Sequence, residues 1–283
     1  MATGDAAKWE AALDDFAKES FEVDGKRRDV YRLGEGPAVI VISEMPGITP
    51  HVAQFGRRVA AGGCTAVLPH VFGDPGRPVS GAYALRSLGP ACVSHEFACF
   101  ALKKTSPITV WLRKLAAFEH ERCGGPGVGV VGMCFTGGFA LAMMVDDVVV
   151  APVLSQPSLP FPINKRHKAD IGISDADLAR VKERTAAGAC LLGLRFSNDP
   201  FCFEERFETL RRELGDSFIA VEIDSAPGNP HGHPKNAHSV LTEHLNDKEG
   251  TPTRAALDQT LSFFREKLGV GSGPGPRPAG LPD

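Results

Sequence analysis

The sequence predicts an α/β protein with a mostly parallel central sheet and helices on both faces. Short, unbroken apolar runs such as Ala38-Val39-Ile40-Val41-Ile42 suit strands buried on both sides. Strand-like and helix-like segments alternate almost throughout, as parallel βαβ units require. No internal repeat or linker divides the chain, so residues 1–270 read as a single domain. The Gly/Pro-rich tail, 271–283, is expected to be disordered.

The elements follow in order. Trp9, Leu13 and Phe16 among charges suggest a short surface helix within residues 1–18. The stretch from Phe21 to Tyr31 alternates around Gly25 like a hairpin. Strand 38–42 leads to a helical stretch near 51–61 and a short strand at 65–69. Residues 73–81 are rich in Gly and Pro and read as a loop. Ser106-Pro107 signals a helix start, because Ser caps free N–H groups and Pro fits the first turn. A strand at 128–131, a helix at 139–145 and a strand at 148–154 come next. Ser174-Asp175-Ala176-Asp177 resembles a capping box and opens a helix to about Arg184. The remainder reads as strand 190–194, helix 204–214, strand 218–223 and a closing helix 254–268.

Bulk composition excludes several function classes. Net charge is -3 with scattered basic residues, so nucleic acid is not an expected partner. No apolar run reaches the roughly 18 residues that span a bilayer, so no membrane partner is expected. The segment Met1–Asp5 lacks a basic-then-apolar signal pattern, and a cytoplasmic location is expected. Cys64, Cys92, Cys99, Cys123, Cys134, Cys190 and Cys202 form no CxxC pair. They read as free thiols, mostly buried and inert. His231-Gly232-His233 could contribute to a metal site, but zinc needs three or four converging ligands and no motif supplies the rest. No metal or cofactor is expected.

Sites in such sheets form at the carboxyl ends of strands. After strand 128–131, Cys134 stands between Gly132 and the pair Gly137-Gly138. A nucleophile on a sharp strand-to-helix turn needs such small neighbours. A Gly-rich turn holding an incidental buried Cys is the bland reading. After strand 190–194 comes Asp199, placed as an orienting carboxylate would be, although Asp before Pro200 also suits a helix cap. After strand 218–223 comes a loop with His231, His233 and His238, followed by His244. The order nucleophile, acid, histidine is that of α/β-hydrolases. Glu44, in Ser43-Glu44-Met45-Pro46-Gly47, follows strand 38–42, where a buried carboxylate is costly unless used or paired. It reads either as functional or as an exposed loop residue.

Over roughly residues 20–268 the chain resembles the dienelactone hydrolase family of α/β-hydrolases. The resemblance rests on Val41–Gly47, the elbow Gly132-Met133-Cys134-Phe135, Asp199, and Ala237-His238-Ser239. The segment Gln259-Thr260-Leu261-Ser262-Phe263-Phe264 matches the family's last helix. The family's Gly-His-Ser-Phe-like segment favours His238 over His231 and His233. The resemblance implies an α/β-hydrolase fold, Cys134 as nucleophile, His238 as base and Asp199 orienting the imidazole. It further implies an oxyanion hole from the backbone N–H groups of Phe135 and Met45, and a Glu44 that approaches the resting thiol and helps generate the thiolate. The implied reaction is hydrolysis of a small ester or enol lactone through a thioester. Two departures stand out. Thr136 replaces the family's usual Gly, and the carboxylate-binding arginines have no clear counterpart, Arg77 and Arg195 being candidates by position. A general carboxylesterase and a redox-sensing thiol protein are the rival functions. A monomer or a homodimer is expected.

Overall fold

The computed structural model describes residues 9, 11–83, 87, 106–159 and 164–271. Its eight strands form one sheet, in the order β1-β2-β4-β3-β5-β6-β7-β8. β1 (Ala17–Val23) and β2 (Lys26–Leu33) make an antiparallel hairpin. Its tight turn uses Asp24 and Gly25, both with positive φ (52° and 71°), a pairing that matches the twist of the flanking strands. β2 pairs antiparallel with β4 (Thr65–Pro69), and every later pairing is parallel. β3 (Ala38–Ile42), β4, β5 (Val128–Met133) and β7 (Leu191–Phe196) are buried throughout, and apart from Thr65 and Arg195 their residues are apolar or glycine. β6 (Val149–Ser155) and β8 (Phe218–Ile223) complete the sheet.

Alternate strand residues feed opposite layers. Val39, Val41, Val131 and Val153 pack with α1 (Pro50–Ala61) and the closing helix Pro252–Lys267. Ile40, Ile42 and Val130 turn the other way, towards α2 (Pro107–Cys123) and α3 (Gly137–Met143). Farther along that same face, Leu154 and Leu191 meet Val181 and Phe207. After the short α4 (Lys165–Ala169), these two belong to α5 (Asp175–Ala186) and α6 (Glu204–Leu214), so the closing helix is α7. Four helices start from a hydroxyl cap: Thr49, Ser106, Ser174 and Thr251 accept the N–H three residues on, and three of them precede Pro.

One expected element is different. Instead of a helix reaching residue 18, a 3-10 turn at Ala11–Leu13 leads straight into β1. Leu13 and Phe16 are buried beside α1, and pairing of Ala17 with Arg32 draws the chain into the sheet. Tertiary pairing outweighs the local apolar spacing. α4 had no distinct signal. Cys92, Cys99 and nearly all of the tail lie outside the described residues. No helix among the described residues is long and apolar enough to cross a membrane.

Candidate active site

The site is built at the carboxyl ends of five adjacent strands, β3, β5, β6, β7 and β8. β3 and β5 run parallel with Ile42 level with Gly132, so Glu44-Met45 and Cys134-Phe135 leave the sheet side by side. At the end of β5, Cys134 has φ 56°, a left-handed conformation that L side chains adopt reluctantly. A 3-10 turn, Cys134–Thr136, then passes into α3. Gly132 is required here, since a Cβ would lie 2.1 Å from the Thr136 carbonyl oxygen. At Gly137 a Cβ would meet Pro157 at 2.7 Å. Thr136 fits the elbow in its own way: its buried hydroxyl accepts the Met133 N–H at 2.8 Å and lies 3.0 Å from the Ile42 carbonyl, tying β5 to β3.

The Asp199 carboxylate, past the end of β7, is fully buried. Its Oδ1 accepts the Phe201 and Cys202 N–H groups at 2.8 and 3.0 Å, which fixes its orientation. His238 Nδ1 lies 2.8 and 2.7 Å from the two carboxylate oxygens. The other ring nitrogen, Nε2, is buried without a hydrogen-bond partner. Burial draws the His238 pKa down, but Cys134 and the bond to Asp199 outweigh it, so it sits well above the usual histidine value. The structure thus brings Cys134, His238 and Asp199 together. His231 is exposed, and His233 packs on Phe196 with its ring centroid 5.1 Å away. Among the described residues no three His, Cys, Asp or Glu side chains converge as metal ligands.

Glu44 stands elsewhere than the resemblance implied. It is buried, and its carboxylate is bound by the Ser239 hydroxyl (2.5 Å), the Thr242 hydroxyl and the Gln156 amide (3.1 Å). Burial raises its pKa. The Cys134 sulfur lies instead 3.0 Å from the Ser158 hydroxyl, whose own N–H donates to the Cys134 carbonyl at 3.0 Å. The arginine candidates are both engaged within the protein. Arg195 is buried, bound to Glu222 at 2.5 Å and to the Ser197 and Cys202 carbonyls. Arg77 pairs with Asp74 at 2.9 Å and lies between the Tyr83 and Trp9 rings, 4.1 and 4.4 Å from their centroids.

With this geometry in view, the sequence profile of the dienelactone hydrolase family matches residues 29–268. The chain belongs to the dienelactone hydrolase family. With it goes hydrolysis of ester bonds. No curated protein sequence matches. Solved structures share the α/β-hydrolase fold. A dienelactone hydrolase from Anabaena variabilis is 15% identical, with TM-score 0.57 over 90% of this chain and 99% of that one. A dienelactone hydrolase-like promiscuous phosphotriesterase from metagenomic libraries is 17% identical, with TM-score 0.58 over 89% and 98%. A cold-adapted esterase from an Arctic intertidal metagenomic library is 14% identical, with TM-score 0.54 over 89% and 92%.

Within this dienelactone hydrolase fold, three residues of the site neighbourhood, Gln156, Ser158 and Arg206, escaped the sequence reading, and a fourth, His244, was named there without a role. Gln156 and Ser158 follow β6, a strand end that the junction search passed over. Gln156 is buried with φ 37° and binds Glu44 and the Val240 N–H. His244 Nδ1 accepts the backbone N–H groups of His238 and Ser239. Arg206 is buried in α6 and donates to the carbonyls of Pro157, Phe201, His167 and Asp170, holding the segment before Ser158 against the loop after Asp199. Its helix reads as an ordinary charged surface helix, so nothing local marks it.

Proposed function

We propose that this protein hydrolyses a small ester or enol lactone through a thioester on Cys134. His238 Nε2 takes the thiol proton and Asp199 holds the ring with that nitrogen outward. The thiolate adds to the substrate carbonyl. The resulting oxyanion is held by the backbone N–H groups of Phe135 and Met45, a reading supported by the register that sets Ile42 level with Gly132. The intermediate collapses with loss of the alcohol or enolate, which takes up the proton from His238. Water, activated by the same ring, then cleaves the thioester. Glu44 in this reading supports the histidine loop at rest. A part in forming the thiolate would require it to leave Ser239 and Thr242 when substrate binds.

The observation that carries the proposal is the Asp199–His238 pair with a buried, unbonded Nε2 beside a cysteine on a left-handed turn. The test is a hydrolysis screen with graded esters and lactones, paired with mass detection of an acyl adduct. Loss of turnover in Cys134→Ala and an adduct on Cys134 are expected; undiminished hydrolysis in that variant would refute the proposal and leave a redox thiol as the better reading.

A second reading concerns the substrate. The internal partners of Arg77 and Arg195 favour an uncharged ester, as in a general carboxylesterase, over a lactone bearing a carboxylate. One lactone compared as free acid and methyl ester decides: preference for the ester by about tenfold, roughly 1.4 kcal/mol, supports the uncharged substrate, and preference for the acid restores a cationic anchor.

A further inference from the structure

The segment carrying His238 is held through its backbone, and every amide from Ala237 to Val240 has an acceptor. Ala237 N–H donates to the Pro234 carbonyl at 2.9 Å and Val240 N–H to the Gln156 side chain at 3.2 Å. The two amides between them, His238 and Ser239, both donate to His244 Nδ1, at 3.3 and 3.2 Å. The His244 amide returns a bond to the Ser239 carbonyl at 3.0 Å, so the loop closes on itself. The ring also packs edge-on against Phe196, with centroids 6.2 Å apart. Buried backbone N–H groups need acceptors, and here a single imidazole nitrogen serves two, one of them on the proposed base itself.

An imidazole nitrogen accepts only when it carries no proton. His244 must therefore be neutral, with its hydrogen on Nε2, to make these bonds. We propose that neutral His244 is a positioning residue for His238, and that its protonation in mild acid releases the backbone at 238–239 and misplaces the catalytic ring. The groups facing it are consistent with a neutral resting state. His238 and His233 oppose a charge on it, and Glu243 and Asp199 favour one, but Glu243 is turned to His51 at 2.8 Å. Burial and then His238 hold the His244 pKa below the usual value.

The inference rests on His238 being the base, and the test separates the two. Profiles of kcat and kcat/KM against pH are compared for the wild type, His244→Asn, His244→Leu and His238→Ala. Asn offers Oδ1 near the place of Nδ1 and does not titrate. The wild type should lose activity on the acid side with two protonations, one within the catalytic site and one from His244. His244→Asn should keep turnover at neutral pH and lose the second protonation. His244→Leu should lower kcat on the order of ten- to a hundredfold with little change in KM, since displacing a catalytic group by about an ångström costs that much. An acid limb in His244→Asn identical to the wild type overturns the proposal, whether or not the Leu variant folds. Activity surviving in His238→Ala overturns the assignment of the base, and this inference with it.

Discussion

The hydroxyl of Ser158 lies 3.0 Å from the sulfur of Cys134, and the same residue's amide is bonded to the Cys134 carbonyl. The Cys134 sulfur thus touches a hydroxyl as well as facing the His238 ring. If the S–H donates to Ser158, removing that acceptor frees the sulfur to turn to the base. Ser158→Ala is expected to speed iodoacetamide labelling of Cys134 at neutral pH by roughly two- to tenfold, the worth of one hydrogen bond. Slower labelling would mean that Ser158 donates to the thiolate instead.

Labelling should also be selective among the thiols. Burial pushes the Cys64 thiol up to about 11 and raises Cys202 further, so neither offers thiolate at neutral pH. Peptide mapping after brief alkylation should place the label on Cys134. Cys134→Ser should retain only weak activity, because a hydroxyl is far less acidic and less nucleophilic than the thiol and its oxygen is smaller than the sulfur this turn holds.

Asp199→Asn is predicted to cost on the order of a hundredfold or more in kcat, since the ring loses its fixed orientation. It should also change stability in a pH-dependent way. A histidine whose pKa is raised by folding stabilises the native state most fully below its unfolded pKa, near 6.5, and loses that contribution as pH climbs through the raised value. Thermal melts of wild type and Asp199→Asn should therefore differ more at pH 6 than at pH 9. A gap that widens towards alkaline pH would contradict this assignment of the charge.

Glu44 gives a contrast between two substitutions. Glu44→Gln keeps an oxygen where the Gln156 amide and the Ser239 hydroxyl both donate, and the Thr242 hydroxyl can rotate to accept from its NH2. It also removes a carboxylate whose ionisation burial opposes. Little change in melting temperature is expected, with reduced turnover. Glu44→Ala strands all three donors and should cost about 1–3 kcal/mol for each group left unpaired. Equal melting temperatures for Ala and Gln would show that the network bears no weight. Unchanged turnover in Gln would limit Glu44 to bracing the loop.

The sheet was readable because its strands are runs such as Ala38–Ile42, where burial on both faces leaves no alternative pattern. The three strand-end junctions carrying Cys134, Asp199 and His238 could be found because glycine spacing and chain order are local properties. What escaped was non-local. Phe16 looks like part of a surface helix until α1 covers it. Ser158 and Gln156 matter only because β6 lies beside β5 and β7. The bond from His238 to His244 and the carbonyls gathered by Arg206 join segments whose proximity no periodicity encodes. Arg195 stood at the right strand end, yet Glu222 on the neighbouring strand claims it.

That last pairing has a consequence beyond the site. Glu222 lies on β8, the outermost strand, and is gripped by Arg195 from β7 and Arg211 from α6. An outermost strand offers open backbone donors and acceptors to any passing chain, and natural sheets discourage such growth with charge. Glu222 keeps a charge on this rim, so an apolar strand from another molecule would have to desolvate it to extend the sheet. The arginine that resembled a substrate anchor, itself buried on β7, instead holds Glu222 in place on that rim.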